Sequence, residues 1–149
     1  MKPSMDTDKK PIADKVLRCG VVPVRFAWGD WQLLLLRSGN LWDFPAGVAS
    51  IHEDLLEAAK RETLAATALT DLEFAFGEDG KETVPYAGNK VDRYYVAETH
   101  TENIDLPVSK KTGSPVRDEW RWVTCDEAEE FLPPRLTHVL EWVRQRINE

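Results

Sequence analysis

Between Gly47 and Glu62 the chain sets out acids and a base at intervals that can do chemistry. Glu53, Asp54, Glu57, Arg61 and Glu62 all fall in the stretch FPAGVASIHEDLLEAAKRETLAATALTDLEF, Phe44 to Phe74. Carboxylates three and four residues apart share one face of a helix. Set where a loop runs into that helix, they can hold Mg²⁺ beside a diphosphate, because Mg²⁺ takes near-octahedral oxygen ligands shared between carboxylates and phosphates. The ion would neutralise the phosphate and acidify the attacking water. Three and four residues on from Glu62, however, stand Ala65 and Ala66. On that face Glu62 is followed by no further acid.

The helix itself is predicted from its apolar spacing. Leu55, Ala58, Ala59, Glu62, Thr63 and Ala66 recur at steps of three and four, which places a helix over about 54–68. Before it, the β-branched run VLRCGVVPVRF (Val16–Phe26) reads as a strand, with Pro23 expected at an edge or bulge. A Gly29-Asp30 turn leads to WQLLLLR (Trp31–Arg37), apolar enough to be buried on both faces. SGNLWDFPAG reads as loop, residues 72–86 as an extended pair, and Asn89–Glu98 and Glu119–Val123 as strands. His100 to Pro115 is a long loop of the kind that often serves function. CDEAEEFL opens a short helix with Asp126 in its first turn, favourable for the helix dipole. PPRLTHVLEWVRQRI is an amphipathic closing helix presenting Leu136, Val139, Leu140, Val143 and Ile147 on one face. Hairpins rather than repeated crossovers imply an α+β fold, a mixed β-sheet with helices packed on it, not a doubly wound parallel sheet.

Composition bounds the rest. The 149 residues suit one domain, placed at 15–149, behind a polar, Pro-interrupted arm over 1–14 that is expected to be flexible. A net charge of −7 disfavours sequence-specific or general nucleic-acid binding, which needs a basic excess. Cys19 and Cys125 lack metal or CxxC spacing and read as free thiols in a reducing compartment. The N-terminus has no apolar stretch of a secretory signal and no run is long enough to span a membrane, so a cytoplasmic protein is expected. Three histidines, 52, 100 and 138, lack ligand spacing, and most of the six tryptophans suit core or strand faces.

At Gly47 the spacing becomes specific. The chain resembles the Nudix family, whose box reads G-x5-E-x7-R-E-U-x-E-E-x-G-U, with U aliphatic. Gly47, Glu53, Arg61-Glu62 and Leu69 fall at those places, and FPAG is similar to the FPKG or FPGG that precedes it. The segment holding Tyr86, Lys90 and YYVAE, and EWRWV with its acidic helix, resemble the branch that cleaves diadenosine tetraphosphate. The resemblance implies a Nudix fold in which a mixed sheet is sandwiched between helices, and Mg²⁺ or Mn²⁺ as cofactor. It implies a nucleotide-like small molecule as ligand. Glu62, Glu53 and Arg61 become the remnant catalytic box, with Glu53 and Arg61 bracing its loop on its helix. Gly47 and Glu62 become the metal ligands, and Tyr86, Lys90 and Trp42 the substrate contacts.

The departures are as specific as the matches. Ala65 and Ala66 replace the glutamate pair, Ala68 the helix-ending glycine, Thr63 an aliphatic residue and Ala46 the lysine of FPKG. His52 stands where the loop usually has glycine, and Val116-Arg117 where Glu-His often precedes the RW strand. The expectation is a relative of the nucleoside and dinucleoside polyphosphate pyrophosphohydrolases whose catalysis is lost or strongly reduced. Two alternatives stand beside it. One is an active Mg²⁺-dependent hydrolase recruiting acids outside the box, such as Glu82, Glu98, Asp118 or Glu119. The other is a nucleotide-binding or protein-interaction module.

Overall fold

The computed structural model describes residues 16–107 and 117–148, with backbone alone for 16 and 17. The 1–14 arm, the second half of the long loop with Val116, and Glu149 lie outside the described residues.

Seven strands form one mixed sheet: β1 (Val16–Ala27), β2 (Asp30–Ser38), β3 (Leu41–Asp43), β4 (Gly47–Val48), β5 (Lys81–Glu82), β6 (Val91–Glu98) and β7 (Glu119–Val123). β1 lies centrally. It runs parallel to β6 along its length, and its other edge is shared by β4 at Arg18–Cys19 and by β2 from Val24 onward, both antiparallel. Between those two ladders, at Gly20–Pro23, that edge has no strand partner. Pro23 sits in this gap of a central strand and not at the sheet's edge, because the missing N–H costs least where no ladder runs.

Leu33 to Leu36 are fully buried, as a strand covered on both faces must be. Alternation sends Leu33 and Leu35 to one core and Leu34 and Leu36 to another. On the first face, Val22, Val24, Phe44, Tyr94 and Val96 meet the two C-terminal helices, α2 (Cys125–Phe131) and α3 (Thr137–Ile147). On the second, Cys19, Val21, Tyr95 and Ala97 meet Ala58 and Ala59 of α1 (Leu55–Thr67). The small residues of α1 let it approach the strands closely. Three helices on two faces of a mixed sheet make the fold α+β, a sandwich. None of the helices among the described residues is long and apolar enough to cross a membrane.

Local chemistry explains the element ends. Thr124 and Glu127 form a reciprocal capping box at the start of α2. The closing segment divides into a 3₁₀ turn at Pro134–Leu136 and the helix α3, whose Val139, Leu140, Val143 and Ile147 are buried as their spacing predicts. Two expectations are corrected. SGNLWDFPAG contains β3 and the first residue of β4, strands too short to show a periodic pattern. The extended pair over 72–86 reduces to β5 and two isolated bridges, Glu73 to Glu98 and Tyr86 to Lys90.

Helix α1 ends on Ala68, which takes the left-handed conformation (φ 62°, ψ 17°) and donates to Leu64 O at 2.8 Å. Glycine holds this conformation without a Cβ penalty of about 1–2 kcal/mol. Ala68→Gly, after its own entropy cost in the unfolded chain, is expected to stabilise the domain by about 1 kcal/mol. Thermal unfolding checks this; the midpoint should rise by roughly 2–8 °C.

Candidate functional site

The loop before α1 is tied to the helix at both ends. Asp54 caps α1 by accepting from Glu57 N at 3.0 Å. Glu53 accepts from Ser50 N at 2.9 Å and pairs through its other oxygen with Arg61 Nη1. Arg61 also donates to the Val48 carbonyl at 3.4 Å and to Glu62 through Nε at 3.2 Å and Nη2 at 3.0 Å. One guanidinium thus spans the loop's beginning, its end and the helix. Glu57 pairs with Lys60 at 3.3 Å and leaves Arg61 to this work.

Two glycines allow the loop to lie where it does. A Cβ on Gly47 would fall 1.8 Å from Glu62 Oε1 and 2.8 Å from its Cγ. A Cβ on Gly20 would fall 1.8 Å from the Pro45 carbonyl oxygen, which is backbone and cannot swing away. Thr63 completes the junction: its hydroxyl accepts from Val21 N at 2.9 Å inside the gap of β1. An aliphatic residue at that place would leave the amide unpaired.

Among the described residues no group of three or more His, Cys, Asp or Glu is placed to hold a metal ion. Glu62 is the one box carboxylate on its face of α1, held by Arg61, and Ala65 and Ala66 offer no oxygen from their side chains. The acids outside the box each meet a cationic or imidazole partner. Glu82 pairs with Arg93 at 2.8 Å, Asp118 with Arg37 at 2.7 Å, and Glu119 with Arg37 and Arg121 at 3.2 and 3.1 Å. Glu98 lies 4.0 Å from the His100 ring nitrogen. Cys19, behind the helix, is buried and its thiol is pushed up to about 11 chiefly by that burial.

The three sequence-proposed ligand contacts lie in different surroundings. Trp42 packs edge-on to Phe131 with centroids 5.5 Å apart, and Arg37 and Arg121 approach its ring. Lys90 is exposed in the turn that Tyr86 closes. Tyr86 donates to Asp92 Oδ1 at 2.6 Å, and the Arg135 guanidinium covers one face of its ring at 4.7 Å.

Tyr86 leads into a polar centre on the sheet face opposite α1. Asp43 and Asp92 are joined by two arginines: Arg18 Nη1 reaches both carboxylates at 3.2 Å, and Arg135 reaches Asp92 at 3.0 Å and Asp43 at 3.1 Å. The buried Tyr94 hydroxyl lies 3.1 Å from an oxygen of each acid. Burial, then the charges of Asp43 and Asp92, push the Tyr94 phenol well up, so it stays a neutral donor. Burial works against the charge of Arg18, and Asp43, Tyr94 and Asp92 more than restore it. Sequence reasoning passed over this centre. Its one signal is a charge inside each apolar strand run, Arg18 in VLRCGVV and Asp92 in VDRYYVA, which must be paired if buried.

A mixed sheet carries a loop–helix unit on one face and a carboxylate–arginine centre on the other, in an α+β domain. A family model of the NUDIX domain matches residues 18–143, and the chain belongs to the Nudix family. Solved structures agree in fold. An Ap4A hydrolase of C. elegans in a binary complex is 21% identical with a TM-score of 0.73, covering 88% of this chain and 96% of that one. The NUDIX domain of Shewanella oneidensis NrtR, complexed with ADP ribose, is 17% identical with a TM-score of 0.68, covering 89% and 88%. The Nudix hydrolase RenU of M. smegmatis is 19% identical with a TM-score of 0.63, covering 88% and 84%. No curated protein sequence matches this chain significantly.

The junction of loop, helix and strand can be tested directly. Thr63→Val keeps the shape and removes the acceptor of a buried amide, so a loss of about 1–3 kcal/mol is expected. Urea unfolding measures it; a loss near zero would show that Val21 N finds another partner.

Proposed function

We propose that this Nudix domain binds a nucleotide-like diphosphate and that its hydrolytic activity is lost or strongly reduced. The observation that carries the reading is the state of the box. Ala65 and Ala66 stand where two acids would be, and the remaining Glu62 carboxylate is engaged by Arg61. Nudix hydrolases generally use divalent ions such as Mg²⁺. One carboxylate and the Gly47 carbonyl make a weak site for such an ion. The loop geometry, by contrast, is supported by contacts that involve no metal: Glu53 to Arg61, Asp54 to the Glu57 amide, and Thr63 to Val21.

In this reading Glu53 and Arg61 brace the loop, and Lys90, Tyr86 and Trp42 are the ligand contacts. Lys90 supplies an exposed cation for a phosphate, and Tyr86, covered on one face by the Arg135 guanidinium, is the aromatic contact for a base. The ligand class follows from the family and from the diadenosine and ADP-ribose compounds named with the similar structures. An active hydrolase built on outside acids is the weaker reading, because Glu82, Asp118 and Glu119 are already engaged by Arg93, Arg37 and Arg121.

The test combines binding and turnover. Thermal-shift titration with diadenosine tetraphosphate and ADP-ribose should show stabilisation without Mg²⁺, since a ligand stabilises by mass action whether or not it is cleaved. Chromatography of the same mixtures with Mg²⁺ should show product formation several orders of magnitude slower than for a Nudix enzyme with an intact box. Steady turnover at ordinary enzyme rates, abolished in Glu62→Gln, would overturn the reading. The double variant Ala65→Glu, Ala66→Glu is expected to raise Mg²⁺ affinity measurably by calorimetry; if it folds and binds no metal, the box has changed beyond those two positions.

A further inference from the structure

The tip of the β1–β2 hairpin carries a large aromatic side chain where the backbone least favours one. Ala27 pairs with Asp30, so Trp28 and Gly29 alone make the turn, with φ of 58° and 79°. A two-residue turn with both φ positive suits Asn-Gly, and a bulky residue at its first place is strained. Gly29 meets the requirement without a Cβ, and Trp28 does not. Burial offers no compensation, because Trp28 is 90% exposed.

Trp28 has aromatic and acidic neighbours. Phe26, two residues back in β1, is 59% exposed and packs edge-on to Trp31 with centroids 5.4 Å apart. Trp31 borders an open cleft of about 200 Å³ where α2 begins and α3 ends, lined also by Asp30, Cys125, Asp126 and Arg144. The charge of this cleft is negative. Asp30 accepts from the Trp31 amide at 2.8 Å and has no cationic partner among the described residues. Arg144 is already shared by Asp126, Glu129 and Glu141. Elsewhere the chain covers its tryptophans with its own cations: Trp42, Trp122 and Trp142 each have an arginine over the ring. Among the described residues none lies over Trp28.

We infer that the hairpin tip docks a cationic segment of a partner protein, with a lysine or arginine of that segment on the Trp28 ring and its charge met by Asp30. A cation is attracted to the face of an indole, and a nearby carboxylate adds to that attraction. Apolar residues between the partner's cations would cover Phe26. The acids select this occupant over others. A second copy of this chain meeting tip to tip would bring two negative clefts together, and like charges across an interface are costly. Nucleic acid and an anionic membrane surface meet the same repulsion. The tip is also separate from the box. Cys19 pairs with Gly47 at one end of β1 and Ala27 closes the hairpin at the other, about 26 Å further along an extended strand.

The test uses the full chain and a fluorescently labelled octapeptide alternating lysine and leucine, with anisotropy as readout. A second probe carries glutamate in place of lysine. The native protein should bind the lysine peptide, more weakly as salt rises, and should not bind the glutamate peptide. Trp28→Asn should weaken binding roughly tenfold. Its thermal midpoint should equal or exceed that of the native protein, because asparagine accepts a positive φ more readily. Asp30→Asn keeps an acceptor for the Trp31 amide and should weaken binding several-fold; it decides alone if Trp28→Asn does not fold. No binding of the lysine peptide, equal binding of both peptides, or unchanged affinity in either folded variant would overturn the inference. So would a native dimer seen by sedimentation and lost in Trp28→Asn, or binding to phosphatidylserine vesicles lost in the same variant, since each gives the tip to a different occupant.

Discussion

The gap in β1 at Gly20–Pro23 is the constraint on which the box depends. A central strand must satisfy its backbone on both edges, and here one edge passes from β4 to β2 with four residues between the ladders. The opening lets the Pro45 carbonyl press against Gly20, and lets Thr63 reach in from α1 to take the Val21 amide. Loop, helix and strand are thereby fixed to each other by backbone packing and one buried hydrogen bond. Pro23 fits the same gap by having no N–H to place. The Arg61 fork then holds the outer side of the loop through Glu53, Val48 and Glu62.

The shape of the box is held by contacts that do not involve positions 65 and 66. The contacts that set geometry lie on the inward face and the loop: Ala58, Ala59, Thr63 and Thr67 are buried, and Glu53 and Arg61 grip each other. Ala65 is exposed and Ala66 half-buried. Alanine has a higher helix propensity than glutamate, so alanines at these two places favour the helix.

The fold was legible where a pattern was long. The Leu33–Leu36 run, the three- and four-residue apolar spacing of α1 and the closing helix all carry the period their structure requires, and all form. Short pieces escaped. β3, β4 and β5 have three, two and two residues, below the length at which alternation can be seen, and they exist because longer strands pair with them. Thr63 reads in sequence as a lapse from an aliphatic position; only the Val21 amide facing it shows why a hydroxyl belongs there. The box loop was readable because its residues are close in sequence. The Asp43–Arg18–Asp92–Arg135 ring joins four separate elements, with separations of up to 92 residues, and no spacing rule reaches that far.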